Sequence, residues 1–373
     1  MKILYSCLSK SWGGLEMFTL TSIQQILKRN IAVELICSAD SRIHIEANNM
    51  GIMLHPVKAS GYFHPITTFR ISLLLRNNKY SLVHTQASKD LWLLVPALFL
   101  ANIKTPLFLT KQVGSFVVKK DFLHNQLYKR VRKIFAISTV IKQNLVETTP
   151  VKPQDIIILP NGIDVNKFNP QVVDSKKVRK EFNITSEEIV IGMLARFTPG
   201  KGHEEFLWAA KELNEKYKNL RYLIVGEASR GEVEYAEKIK QLATDYGLKN
   251  IIFTGFRGDT PEVLSAMDIF AFPSHSEAFG IALVEAMAMK KPSVCSNAEG
   301  VLDIAIDNET SYLFENKNVA DLKAKLKMLI ESKETRLSFG ENARKRVIDI
   351  FNIQVITEIV VKIYSEEISG ITT

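Results

Sequence analysis

Two glutamates stand eight residues apart in "PSHSEAFGIALVEAMAMKKPSV" (273–294): Glu277 precedes an apolar stretch of good helix formers, and Glu285 lies within it. Paired carboxylates first suggest acid/base hydrolysis. If residues 277–285 were helical throughout, a rise of about 1.5 Å per residue would part the two by roughly 12 Å. Carboxylate pairs that cleave glycosides sit about 5–9.5 Å apart. The spacing suits instead the two ends of one elongated ligand, a sugar at one and a ribose at the other. Backbone N–H groups of Phe279, Gly280 and Ile281 at the helix start would then face the phosphates between them. The plain alternative is a capping Glu277 and a chance Glu285.

A second cluster lies upstream. "GMLARFTPGKGHEEFLWAA" (192–210) places Arg196 and Lys201 at and just beyond a strand end, with Gly200 and Gly202 flanking the lysine. Two cations five residues apart in a Gly/Pro loop suit a diphosphate, though surface charge explains them as well. The spacing is not that of a P-loop. Near the N-terminus, "SKSWGGLEMFTL" sets Gly13 and Gly14 between a first strand and a first helix. Glycines there let N–H groups approach an anion at the positive helix end, or simply make a tight turn.

The elements that must position these loops are read from hydrophobic pattern. Short β-rich runs at 2–8, 32–38, 81–86, 106–112, 133–138 and 156–162 alternate with helical stretches such as 15–30. That alternation implies a parallel sheet wrapped by helices. The pattern pauses over the polar stretch 165–188 and restarts with runs at 189–197, 220–228, 250–256, 269–274 and 291–296. The expectation is two Rossmann-like α/β domains, 1–166 and 185–351, with a last helix in 352–373 packing back on the first. Each motif then follows a strand, where open parallel sheets bind ligands.

Bulk properties narrow the class. The 373 residues suit two domains, and 46% apolar with 24% charged residues argues against disorder. Cys7, Cys37 and Cys295 are odd in number and form no CxxC pair, which speaks against a disulfide framework or zinc site and for a reducing cytosol. "MKILYSCLSK" reads as a strand rather than a signal peptide. "LWLLVPALFLANI" (91–103) falls short of the about 20 residues a membrane span needs and reads as a buried helix. Residues 1–166 hold 20 Lys/Arg against 9 Asp/Glu, while the rest holds 28 against 31. The basic charge therefore belongs to the N-terminal half, and it concentrates in "KKDFLHNQLYKRVRKIF" (119–135). That segment reads either as a solvated basic helix or as a face for an anionic membrane or a lipid-linked acceptor.

Taken together, "GGLE", "FAISTVIKQNL", "LPNGIDVNKFNP", "GMLARFTPGKG", "LIVGE", "FTGF" and "SEAFGIALVEAMA" resemble the family 4 retaining glycosyltransferases of the GT-B fold, over essentially the whole chain. The resemblance implies two Rossmann-like domains facing a cleft, with acceptor on the N-terminal domain and nucleotide-sugar donor on the C-terminal one. Arg196 and Lys201 would hold the donor diphosphate, Glu277 would lie beside the donor sugar, and Glu285 would bind the ribose. Phe279, Gly280 and Ile281 would offer N–H groups, Gly14 would lie near the β-phosphate, and Gly226-Glu227 and Phe256-Arg257 would flank the base. One departure is plain: members often carry a histidine in the turn after the fourth strand, where this chain reads "TKQVGSF" (110–116). Lys111, or His84 from "SLVHTQ", could serve on the acceptor side, and an ordinary structural role competes for each. His124 reads as surface or packing.

The expected activity is transfer of a sugar from a UDP-, GDP- or ADP-sugar to a glycan or lipid-linked acceptor, in cell-surface polysaccharide or lipopolysaccharide synthesis. No cofactor, metal or nucleic acid is expected, and there is no DxD motif. The expected location is the cytoplasm, with peripheral binding to the inner membrane face. A sugar-nucleotide epimerase on the same fold is the main alternative, but its acid/base groups cannot be placed. A phosphorylase would be longer, and a dehydrogenase would carry GxGxxG.

Overall fold

The computed structural model describes residues 1–59, 61–228 and 231–372. The chain divides into one unit of Met1–Gly162 with Ile353–Thr373 and another of Ile163–Asn352. The first holds seven parallel strands, β1 (Lys2–Cys7), β2 (Ala32–Ser38), β3 (Met53–Val57), β4 (Leu82–Thr85), β5 (Leu107–Lys111), β6 (Val131–Ala136) and β7 (Ile156–Ile158), in the order 3-2-1-4-5-6-7. The second holds β8 (Ile189–Leu194), β9 (Leu220–Val225), β10 (Ile251–Gly255), β11 (Ile269–Phe272), β12 (Ser293–Ser296) and β13 (Ser311–Phe314), all parallel, in the order 10-9-8-11-12-13. Each sheet winds outward from its first strand in both directions. The switch points, where such sheets open a crevice, fall between β1 and β4 and between β8 and β11.

Continuous apolar runs make these strands because helices cover both faces of each sheet. The first core gathers Ile3, Tyr5, Leu20, Ile23, Leu82, Phe108 and Phe135, and the second Ile191, Phe206, Tyr222, Ile269 and Leu326. Along the last helix, Ile353–Thr372, the residues Ile356, Val360 and Tyr364 recur every four positions and enter the first core. Each such side chain contributes about 1.5–3 kcal/mol by leaving water.

Several details depart from the pattern-based expectation. The edge strands β3 and β13 have no counterpart among the expected runs. "MLHPV" is half-exposed and carries a proline, and "SYLF", though largely buried, has only four residues, so neither gives a long apolar run in the sequence. Residues 163–184 belong to the second unit rather than to a featureless linker. The helix Ser175–Glu181 buries Val178, and Arg179 reaches Asp268 at 2.6 Å and the carbonyl of Ala266 at 3.1 Å. The apolar run 91–103 is a helix over Leu91–Ala101, but Phe99 and Leu100 stand exposed.

The basic segment 119–135 is not one amphipathic helix. Only Phe122–Lys129 is helical, Leu127 and Tyr128 are buried, and the chain then enters β6. Its later cations lie at the amino edge of the sheet. Lys129, Arg130 and Arg132 line a cavity of about 830 Å³ with Lys104 and Lys152, and Arg132 and Lys133 both pair with Glu367. The exposed apolar residues Phe116, Val117, Val118, Phe122 and Leu123 flank Lys119 and Lys120 instead, beyond the carboxyl end of β5. No helix among the described residues is long and apolar enough to cross a membrane.

Candidate functional site

The second unit gathers charged residues at its switch point. Beyond β8, the loop through Gly200 and Gly202 leads into the helix His203–Lys216. Gly202 has φ +80°, and a Cβ there would lie 2.3 Å from the carbonyl oxygen of Pro273, so only glycine lets the two loops touch. That approach brings Lys201 Nζ within 2.6 Å of Glu277 Oε1, across the gap between β8 and β11. Both side chains are half-buried, and an ion pair so placed has lost only part of its hydration. Arg196 is exposed and has no ion-pair partner among the described residues.

Two further contacts hold this loop. His275, just past β11, donates its backbone N–H to the carbonyl of Gly200 at 2.8 Å, and its ring meets Glu205 at 2.6 Å. His203 is fully buried and stacks on Phe197 at 4.6 Å, and burial pushes its pKa down to about 4. Gly300 donates to the carbonyl of Glu277 at 3.0 Å, fixing that loop from β12. Spacing in the sequence signals none of these supports.

The helix that carries the second glutamate spans Ile281–Ala288 and no more. Gly280 precedes it at φ +121°, so residues 277–280 are not helical and the separation of about 12 Å assumed for a continuous helix does not apply. Phe279 turns its ring into the core against Phe351, which leaves its backbone as the part available to a ligand. The N–H groups of Phe279, Gly280 and Ile281 donate no backbone hydrogen bond among the described residues. The carboxyl group of Glu285, on the second turn, makes no hydrogen bond among the described residues. Burial pushes its carboxyl up to about 7, partly offset by the ammonium of Lys167. Lys167 belongs to the "NGIDVNKF" stretch, and nothing in its spacing pointed to this neighbour.

The two residues after β10 differ in their surroundings. Phe256 is exposed at the end of β10. The guanidinium of Arg257 is committed elsewhere, with Glu181 on one side and Asp259 at 2.6 Å on the other. Arg257 thus ties the helix Ser175–Glu181 to the loop before the helix Thr260–Ala266.

At the first unit's switch point the charges are buried. Asp90 accepts from Ser6 Oγ at 2.7 Å, Leu8 N at 3.2 Å and Thr85 Oγ1 at 3.2 Å, joining the ends of β1 and β4. Burial pushes its carboxyl up to about 6 against these three donors. Gly14 opens the helix Gly14–Leu27, with Gly13 as its extended N-cap and Glu16 buried in the first turn. The carboxylate of Glu16 favours that positive helix end.

His84 does not present itself to a ligand. Its Nδ1 bonds to the Tyr364 hydroxyl and its Nε2 to Thr110 Oγ1 at 2.8 Å, inside a cluster with Tyr5, Phe108 and Phe135. Burial holds its pKa down at about 3, so the ring stays neutral. The last helix closes over it, which no local pattern around "SLVHTQ" shows. Lys111 sits at the carboxyl end of β5, buried, with Ser88 Oγ 3.0 Å from its ammonium. Asp121 caps the turn that carries His124, accepting its backbone N–H at 3.1 Å, and the His124 ring meets Trp92 edge-on. The three cysteines are free and buried. Among the described residues no three His, Cys, Asp or Glu side chains converge as ligands for an ion.

Known proteins give this arrangement a context. A sequence profile described as "Glycosyltransferase Family 4" matches residues 12–167, and one described as "Glycosyl transferases group 1" matches 174–346. A capsular polysaccharide biosynthesis glycosyltransferase, CapM, from Staphylococcus aureus is 28% identical over 62% of this chain, and the match spans only 61% of that protein. The N,N'-diacetylbacillosaminyl-diphospho-undecaprenol alpha-1,3-N-acetylgalactosaminyltransferase of Campylobacter jejuni is 28% identical over 81% of each chain. The crystal structure of Anabaena HepE with UDP-glucose shares the fold at a TM-score of 0.83 and 22% identity, covering 98% of this chain and 100% of that one. Two parallel-sheet units, both profiles and these relatives lead to one conclusion: the chain belongs to the family 4 glycosyltransferases, on the GT-B fold.

Proposed function

We propose that the chain transfers a sugar, with retention at the anomeric carbon and without a metal, from a nucleoside diphosphate sugar to a lipid-linked or glycan acceptor. The observation that carries this reading is the meeting of Lys201 and Glu277 across the second unit's switch point, beside Arg196 and the N–H groups at Ile281, which have no partner among the described residues. In the free protein Glu277 neutralises Lys201. An incoming diphosphate supplies that charge instead, and Glu277 is released toward the donor sugar.

As the bond from the anomeric carbon to the β-phosphate oxygen breaks, its electron pair moves onto the diphosphate. Arg196, Lys201 and the helix-start N–H groups meet that charge where it grows, which is where fixed dipoles and cations accelerate a reaction most. The acceptor hydroxyl forms the new bond on the face the nucleotide leaves and passes its proton to the departing phosphate. Glu285 accepts hydrogen bonds from the ribose hydroxyls. No protein nucleophile is assigned.

The names of similar proteins support the substrate classes, since one is crystallised with UDP-glucose and another is named for a diphospho-undecaprenol acceptor. The exposed apolar residues around Lys119 and Lys120 support work at a cytoplasmic membrane face. The test is release of nucleoside diphosphate from UDP-, GDP- and ADP-sugars, with and without a polyprenyl diphosphate-linked acceptor, in excess chelator. Acceptor-dependent release from one donor class is expected. No release from any donor, or release abolished by chelator, contradicts the proposal.

A further inference from the structure

Lys111 is 6% exposed, and its ammonium has one polar neighbour, Ser88 Oγ at 3.0 Å. No carboxylate pairs with it among the described residues. The charge it feels is of its own sign, from Lys119, and burial with that repulsion lowers its pKa to about 8. The hydroxyl of Tyr128, 5% exposed, approaches the same serine yet completes no hydrogen bond. Ammonium, phenol and hydroxyl thus converge, with Ser88 Oγ accepting from the ammonium and no anionic acceptor among them. A buried cation left unpaired is costly in free energy, and a bound oxyanion answers that cost while satisfying the phenol.

The surroundings say what the anion is attached to. Tyr128 and His124 lie four apart on the helix Phe122–Lys129 and share a face. His124 meets Trp92 at 5.3 Å, Trp92 meets Tyr62 at 5.6 Å, and Lys89, next to Ser88, lies over Tyr62 at 5.4 Å. This rim continues into the exposed side chains of Phe63 and Phe122. A buried donor cluster edged by exposed aromatic rings fits an amphiphile better than a free sugar.

We propose that Ser88, Lys111, Lys119 and Tyr128 form an anion site for the diphosphate of the acceptor, and that the aromatic rim takes the apolar chain esterified to it. The assignment rests on the transferase reading above, because it names that reaction's second substrate.

Calorimetric titration tests it on the full chain carrying Arg196→Ala and Lys201→Ala, so that donor cations do not compete. One site for inorganic pyrophosphate is expected to remain. Adding Lys111→Met should weaken it by at least about tenfold, and adding Tyr128→Phe by a smaller factor, as charge-assisted and neutral hydrogen bonds differ. Geranyl diphosphate should bind at least about tenfold tighter than pyrophosphate through burial of its chain, an advantage that Phe122→Ser reduces. Absence of a pyrophosphate site, or unchanged binding with Lys111→Met, overturns the anion site. Equal affinity for the two ligands overturns the lipid-linked assignment and leaves a free diphosphate as the ligand. No sugar moves in this titration, so its failure is distinct from failure of the transfer assay.

Discussion

At the carboxyl edge of the second sheet, charge sits in loops. The side chains of Lys201 and Glu277 are half-buried and pair with each other, Arg196 is exposed, and the carboxyl of Glu285 has no hydrogen bond among the described residues. At the same edge of the first sheet, charge sits beneath the surface. Asp90 is satisfied by Ser6, Leu8 and Thr85, and His84 by Tyr364 and Thr110. Both edges share strand polarity and a switch point, so topology alone does not distinguish them. The difference is whether the polar groups are already satisfied. Where they are, they staple strands; where they are not, they wait for a ligand. Lys111 is the exception on the first edge, being buried like a staple yet left without a counter-charge.

The largest effect should come from the cations of the open edge. Arg196→Ala or Lys201→Ala is expected to lower kcat by at least about 10²-fold, as lost stabilisation of leaving-group charge does, with little change in melting temperature. Steady-state kinetics beside thermal melts check this, and near-normal kcat in both variants would remove them from the mechanism.

Glu285 should show opposite signs in binding and stability. Glu285→Gln is expected to weaken donor binding by about 1.5–3 kcal/mol through loss of charge-assisted hydrogen bonds. In the ligand-free protein the carboxyl keeps its proton up to about pH 7, whereas the unfolded chain releases it near its ordinary 4.5. The folded state therefore loses stability as pH rises through that window. The free variant should melt higher than the parent at pH 8 and level with it at pH 4. A variant that melts lower at pH 8 would contradict the buried, unpaired carboxylate.

His84 sharpens the other side of the comparison. His84→Gln should cost about 1–3 kcal/mol of stability, the penalty for unmaking a buried hydrogen bond, while donor KM stays the same. The unfolded ring gains a proton near its ordinary 6.5, but the folded ring refuses one until about pH 3. Stability should fall as pH drops through that interval, and the substitution should flatten the slope seen in urea titrations. An acid-insensitive parent would mean the ring is not sealed.

The smallest effect is membrane docking at the first edge. Lys119 and Lys120 should each add about 1 kcal/mol toward an anionic surface, screened within roughly 8–10 Å. Sedimentation with anionic liposomes should be strong at low salt and lost at high salt. Binding that salt leaves unchanged would exclude an electrostatic contribution.

Much of this was legible in the sequence, and the reasons differ by residue. The strands around β8 and β11 announce themselves because both faces are covered and the apolar run is unbroken, and β1 and β4 follow the same buried pattern with a few polar residues. Arg196, Lys201, Glu277 and Glu285 stand out because glycines and a strand end mark the loops that carry them. Their meeting is not in the spacing: Lys201 and Glu277 are 76 residues apart and are brought together by the contact of Gly202 with Pro273. His84 looked available because its strand ends two residues later in polar residues. Tyr364, 280 residues downstream, seals it. Glu277 precedes the helix and Glu285 lies within it, as the sequence suggested, and the positive φ of Gly280 marks where the helix starts. The pairing of the Arg257 side chain with Glu181 and Asp259 was likewise not in the spacing.

Hydrogen–deuterium exchange with and without saturating nucleotide sugar tests the contrast between the two edges most directly. Donor binding should slow exchange in peptides covering 196–206 and 277–288, where the free N–H groups and the Lys201 loop lie, and leave 82–92 and 107–112 unchanged. Protection confined to the first unit's peptides, or none at saturation, would contradict the assignment of the open edge to the nucleotide.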